Sequence, residues 1–196
     1  MKGVLAGLAL ALGGCGGLDE ARESQPGFSG VVPAQVQHCA VKAVAFQPGE
    51  EPPLNPPPAK LDCFASFAEA IAFATQGAIQ LPPDATPGQL TPELVSAPDA
   101  TPTQNLIAVE YEDAYYGGRS LTFYSETSCY QSNLGTPSLS SDWNDIISSA
   151  QAFSGCNNSY HYEHVNYQGA VANCGSACTW IGDAMNDRTS SILWTR

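Results

Sequence analysis

The sequence predicts a mostly β protein, with a β-sandwich in its C-terminal half and a small α+β or irregular region with one helix before it. Three observations carry that prediction. The C-terminal half of the chain uses one residue pattern twice, at a period of roughly 45 residues, which marks a structural unit used twice. From residue 105 onward the signals are short β-type runs separated by Gly and Asn turns. The chain of 196 residues also holds seven cysteines, and six of them follow residue 30 in a chain that reads as exported, an even number that suits three disulfides.

Taken in order, residues 1–14 read as a signal peptide. Met1-Lys2 is a short positive start, and an uncharged apolar run follows that is too short to span a bilayer. It ends in Leu12-Gly13-Gly14-Cys15, which resembles a bacterial lipobox. The resemblance implies cleavage before Cys15 and lipid modification of that cysteine. Gly16 lacks the aspartate associated with inner-membrane retention, so the expected location is the outer membrane or cell surface, or the exterior if the lipobox is not used. Residues 15–30 read as a flexible tether.

Residues 31–80 read as a small disulfide-pinned unit. The run 31–46 carries β-branched residues in partial alternation, and 48–58 is a proline-rich loop. Ser66 and Glu69 form a capping box for a helix over 67–76, with Phe67, Ala70, Ile71 and Ala74 on its apolar face and Gly77 as its stop. That face must pack on the preceding strands or on the C-terminal domain. Locality pairs Cys39 with Cys63, and leaves Cys129, Cys156, Cys174 and Cys178 to pair among themselves. Cys174 and Cys178 have the spacing of two zinc ligands, but no second close pair completes a tetrahedral set. Residues 81–104, rich in Pro and Thr, read as a linker or extended strap, and 105–196 as the compact domain.

Within that domain Tyr111, Tyr116 and Gly118 are followed by Asn144-Asp145-Ile146-Ile147-Ser148-Ser149. Tyr162, Tyr167 and Gly169 are followed by Asn186-Asp187-Arg188-Thr189-Ser190-Ser191. These residues resemble the paired Greek keys of the βγ-crystallin superfamily, and the Asn-Asp-x-x-Ser-Ser element is similar to that family's calcium signature. The match covers residues 106–194. Chemically the element offers an amide, a carboxylate, carbonyls and hydroxyls, the oxygen donors that calcium takes, although Asn and Asp also serve plain turns.

The resemblance implies two Ca2+ sites between the keys. One would use Ile146 and Ser148 with Glu163, the other Arg188 and Ser190 with Glu112, and Asp145 and Asp187 would each add a carboxylate. Few formal charges imply affinities of roughly 10⁻⁵ to 10⁻³ M. The Arg188 cation should make its site the weaker one.

A formal charge of −12, from 7 basic and 19 acidic residues, argues against nucleic acid as a partner. No nucleophile elbow, zinc-protease motif or phosphate loop occurs. His161 and His164, three apart on a strand, face opposite ways. The expected role is therefore binding or structural and not enzymatic, in a monomer that meets a membrane only through its lipid anchor. Two other readings stay open. One is a secreted metalloproteinase inhibitor of the same fold, presenting residues 127–141 as a rigid loop. The other is a cell-wall or carbohydrate-binding module using Trp143, Trp180 or Trp194.

Overall fold

The computed structural model describes residues 37–55, 59–96 and 103–196. The signal segment, the tether and Cys15 lie outside the described residues, as do residues 31–36, 56–58 and 97–102. Ala34–Arg196 is one compact unit. Among the described residues no helix is long and apolar enough to cross a membrane.

The strands are β1 (His38–Lys42), β2 (Val44–Phe46), β3 (Asp62–Phe64), β4 (Asn105–Asp113), β5 (Gly117–Ser125), β6 (Asn133–Thr136), β7 (Ser149–Ala152), β8 (Asn158–His164), β9 (Gln168–Asn173), β10 (Ala177–Cys178) and β11 (Ser191–Thr195). They make a six-stranded sheet, ordered β10-β7-β4-β5-β1-β3, and a five-stranded sheet, ordered β2-β6-β11-β8-β9. The first key is β4 to β7 and the second is β8 to β11. Each key keeps three strands in its own sheet and lends its third to the other: β6 lies beside β11, and β10 beside β7. This exchange locks the two keys into one sandwich. Between the sheets the core holds Ile107, Leu121, Phe123, Leu134, Trp143, Ile147, Ile192 and Trp194.

The first strands of the two keys differ in a way their sequences forecast. β4 carries Leu106-Ile-Ala-Val, a continuous apolar run, and is buried on both faces. β8 alternates and is buried on one. A continuous run needs cover on both sides, and the cover on β4 comes from the N-terminal segment. Helix α1 (Phe67–Ala74) opens on the Ser66/Glu69 capping box and buries Phe67, Ala70, Ile71 and Ala74. Phe67 and Ile71 pack with Ile79, Leu90, Leu106, Val109, Tyr111 and Phe153 as a second core. Burying a side chain such as Ile71 removes it from water for about 1.5–3 kcal/mol.

The unit expected over residues 31–80 is thus not a separate body. β1 adds parallel to β5, β3 pairs with β1, and β2 pairs with β6, so this segment extends both sheets. Too few apolar residues lie within it to make a core alone. The expected linker over 81–104 is likewise packed where described. Leu90 is buried, Gln151 Nε2 donates to the Leu90 carbonyl at 3.4 Å, and a short helix α2 (Pro92–Ser96) follows. The disulfides are Cys39–Cys63, Cys129–Cys156 and Cys174–Cys178.

Residues 127–141 are not a projecting loop. They contain β6, which lies inside the five-stranded sheet between β2 and β11, and Cys129, Leu134 and Leu139 are buried. Trp143 and Trp194 are core residues, whereas Trp180 is exposed.

Candidate metal centres

Each key contributes a folded hairpin and a serine-ended loop. The first hairpin turns through a 3-10 segment, Ala114–Tyr116, and the second through Val165–Tyr167. Tyr115, Tyr116, Asn166 and Tyr167 all sit at φ between 58° and 64°, a strained region for residues with a side chain. Packing and hydrogen bonds hold them there. The Tyr111 and Tyr116 rings lie 5.2 Å apart, and those of Tyr162 and Tyr167 5.8 Å apart. Ser149 Oγ donates to the Asp113 carbonyl and accepts from Tyr116 N–H; Ser191 Oγ does the same for His164 and Tyr167. Burial pushes the Tyr111, Tyr116 and Tyr167 hydroxyls above their ordinary pKa.

Gly118 and Gly169 close the hairpins at φ of +71° and +84°. A Cβ on Gly118 would sit 2.8 Å from Asp113 Oδ2, and one on Gly169 2.9 Å from His164 Cδ2. Both contacts are to exposed side chains that can move aside, so it is the positive φ that calls for glycine at the two positions.

The two Asn-Asp loops reach across to the opposite key. Asp145 N–H donates to the Thr189 carbonyl at 3.0 Å, and Asp187 N–H to the Ile147 carbonyl at 3.2 Å. Both aspartates are exposed and have positive φ, at 61° and 54°. Asn144 Nδ2 and Asn186 Nδ2 each donate to the neighbouring aspartate, at 2.6 and 2.7 Å. That bond fixes the direction of the carboxylate.

The reach has a consequence for the expected ligand sets. Ser190 N–H donates to the Tyr162 carbonyl, and Ser190 Oγ donates to the Glu163 carbonyl at 2.8 Å and lies 3.4 Å from Asp145 Oδ1. Ser148 N–H donates to the Tyr111 carbonyl, and Ser148 Oγ lies 3.4 Å from Asp187 Oδ1. One cluster is therefore Asp145 with Ser190 and the Glu163 carbonyl. The other is Asp187 with Ser148, beside Glu112. The expected sets placed Ser148 with Glu163 and Ser190 with Glu112, and the serines are in fact exchanged. The reason is topological: each serine opens a strand paired with its own key's hairpin, while the Asn-Asp loop ahead of it swings to the other key.

Ile146 and Arg188 follow their aspartates on the same loops and go with them. Their side chains differ in use. Ile146 packs on the core. Arg188 donates to Glu163 Oε1 and to the Ala184 carbonyl. Its cation thus neutralises the hairpin of the Asp145–Ser190 cluster, not that of its own loop's cluster. In the first key the same service comes from Arg119 on β5, which grips Glu112 through Nε at 2.9 Å and Nη2 at 3.1 Å and lies over the Trp143 ring at 5.3 Å. The Arg119 hydrogen bond holds the Glu112 carboxyl below its usual pKa. The Ala170 N–H, then Arg188, does so for Glu163. Both glutamate carboxylates are engaged, so each hairpin offers a metal its carbonyl oxygen.

The donor sets left for an ion are one carboxylate, one hydroxyl and backbone carbonyls per cluster. Among the described residues no three His, Cys, Asp or Glu side chains converge as a metal-binding group. Hard oxygen donors of this kind fit a cation such as calcium and not zinc.

Two residues that the sequence did not show as partners sit between the sheets. Glu110 and His161, each one residue ahead of a hairpin tyrosine, are fully buried and joined by a 2.8 Å hydrogen bond. His164 is exposed, so the two histidines do part ways.

No protein-family model matches the chain, and no curated protein matches it. Solved structures do. A βγ-crystallin domain from Clostridium beijerinckii matches at 26% identity, over 46% of this chain and 99% of that one, with a TM-score of 0.36. A βγ-crystallin from an archaeon matches at 23% identity, over 45% and 96%, with a TM-score of 0.34. One from Ciona intestinalis matches at 19% identity, over 43% and 94%, with a TM-score of 0.33. The paired, strand-exchanged keys of residues 105–196, set in a mostly β chain, are thus similar to βγ-crystallin domains.

Proposed function

We propose that this is an exported protein whose βγ-crystallin domain binds two calcium ions, one in each crossed cluster, and whose role is binding or structural and not catalytic. One site comprises Asp145, the Ile146 carbonyl, Ser190 and the Glu163 carbonyl. The other comprises Asp187, the Arg188 carbonyl, Ser148 and the Glu112 carbonyl. The observation that carries the reading is the convergence of Ser190 Oγ, Asp145 Oδ1 and the Glu163 carbonyl from two different keys. A turn needs no partner from the other key, but an ion held between keys does.

Bound calcium would supply a positive charge shared by both keys, and its oxygen shell would tie each Asn-Asp loop to the opposite hairpin. At about 100 times the dissociation constant such binding stabilises a fold by about 2.7 kcal/mol. Affinities of roughly 10⁻⁵ to 10⁻³ M suit extracellular modules. They also suit a chain carried out of the cell and anchored by lipid at Cys15, which we propose for the N-terminal segment.

Calorimetric titration of the metal-stripped, oxidised protein tests the reading. Two binding events, with a raised melting temperature, are expected. An intact fold that takes up no calcium to about 10 mM, ten times the weak end of that affinity range, rejects it.

Polysaccharide binding has an observation of its own. Tyr115, 77% exposed, donates its N–H to the carbonyl of Thr179, the residue before the exposed Trp180. Exposed aromatic faces stack on sugars. Retention on an insoluble polysaccharide that Trp180→Ala abolishes would support this second reading.

A further inference from the structure

The two keys are equivalent, but the outer edges of their sheets are treated differently. In the first key β5 is the outer strand, and the chain's own β1 adds to it in parallel, His38 opposite Ser120 through Lys42 opposite Tyr124, with β3 beyond. The equivalent strand of the second key is β9. Among the described residues it pairs with β8 on one side and ends the five-stranded sheet. At six residues it is longer than the other strands that end these sheets, β2, β3 and β10. Its sequence, Gln168-Gly-Ala-Val-Ala-Asn173, has no charge and no proline, the usual guards of an open edge. Five of its six residues are exposed, with Val171 at 52%.

The direction of its free hydrogen-bonding groups follows from the register. Cys174 N–H donates to the Ser159 carbonyl on β8, and Ala172 lies opposite His161. In an antiparallel ladder the groups of alternate residues point the same way. Cys174 and Ala172 therefore bond inward, and the N–H and C=O of Val171 and Asn173 point outward.

We propose that β9 is a strand-pairing interface and that its occupant is β9 of a second copy of this chain. The pairing is antiparallel about a twofold axis, with Val171 opposite Val171 of the second copy. It joins the two five-stranded sheets into one of ten. Three features select this occupant. Against itself β9 brings no like charges together, despite a net charge of −12 on each chain. The residues flanking Val171 are alanines, with Gly169 next along, and these leave both faces of the edge open to a second strand. The chain's described N-terminal strands are already committed to β5 and β6. A twofold contact closes on itself, so the assembly stops at a dimer. An edge pair of this length lies below the roughly 1,200 Å² of a standard interface, so the dimer is weak and concentration-dependent.

Val171→Cys in the full chain tests this directly. A hydrogen-bonded antiparallel pair has Cα atoms about 5.5 Å apart, within disulfide range. Mild oxidation should give a disulfide-linked species at twice the 20.6 kDa chain mass, and the same treatment of Glu93→Cys, exposed on α2, should not. Val171→Lys should keep the melting temperature and lose the concentration-dependent rise in mass seen by sedimentation. The proposal is overturned if Val171→Cys cross-links no better than Glu93→Cys, if it cross-links only to a different protein, or if Val171→Lys leaves the mass profile unchanged.

Discussion

Ser149 and Ser191 make the same two hydrogen bonds in the two keys, donating at 2.6 Å to the carbonyl of the residue just before the hairpin turn, Asp113 or His164, and accepting at 3.0 Å from the turn's last N–H. Both serines are fully buried. The sixth position of the Asn-Asp-x-x-Ser-Ser element is thus a clamp on the hairpin, while the fifth faces the candidate ion. One six-residue segment serves the fold and the site through adjacent hydroxyls pointing opposite ways.

Truncating the clamp leaves a part-buried carbonyl and a part-buried N–H without their serine partner. Ser149→Ala and Ser191→Ala should each cost about 0.5–1.5 kcal/mol, read as a lower urea midpoint at unchanged slope. A loss confined to calcium affinity, with stability in chelator unchanged, would contradict the clamp.

Gly118→Ala and Gly169→Ala should each destabilise by about 1 kcal/mol, because alanine meets a positive φ there. Gly88→Ala, where a Cβ meets nothing within 4 Å, is the control and should be near neutral. Thermal melts of the three variants decide this.

His38 gives the fold a pH dependence. It is buried on β1, with Nδ1 2.9 Å from Ser120 Oγ and its ring edge-on to Phe67, and burial lowers its pKa below 6.5. The folded state binds the proton more weakly than the unfolded state. The stability is therefore complete above pH 6.5 and lost as pH falls through the folded-state value. His38→Gln should flatten that part of the curve of melting temperature against pH, and an unchanged difference between variant and parent across pH 7 to 5 would argue against it.

Arg188→Ser should free the Glu163 carboxylate beside the Asp145–Ser190 cluster. The Arg188–Glu163 pair is exposed and screened by solvent, so calcium affinity should rise modestly, by less than about fivefold, at that site and stay unchanged at the other. Calorimetry on the variant separates the two.

Much of this was legible in the chain because its signals are local. The hairpin tyrosines, the closing glycines and the doubled loops are turn chemistry, which a few neighbouring residues determine. The capping box at Ser66 and Glu69 is local too. β6 was not legible: Asn133-Leu-Gly-Thr136 holds one core residue, Leu134, and is a strand only because β2 and β11 flank it. β10, two residues long, depends in the same way on β7. The third layer over β4 was half-visible, since the run Leu106-Ile-Ala-Val demands cover but does not say from where. The exchange of Ser148 and Ser190 between clusters was out of reach, because it depends on which key a loop crosses to.

That exchange can be measured. If the ion sits with Asp187 and Ser148, removing either ligand weakens one site, and removing the second costs less than the first. Ser148→Ala and Asp187→Asn should therefore be non-additive in calcium affinity, with a coupling of about 0.5–3 kcal/mol. Ser148→Ala with Asp145→Asn should add, because those residues serve different ions. The mirror cycle, Ser190→Ala with Asp145→Asn, should couple and its cross-pair should not. Each hydroxyl alone should be worth about 1 kcal/mol, close to fivefold in affinity. The opposite pattern, with Ser148 coupled to Asp145, would assign each site to a single loop plus the opposite hairpin. The hydroxyl would then have to leave its own hairpin to reach the ion, against the backbone bond from Ser148 N–H to the Tyr111 carbonyl.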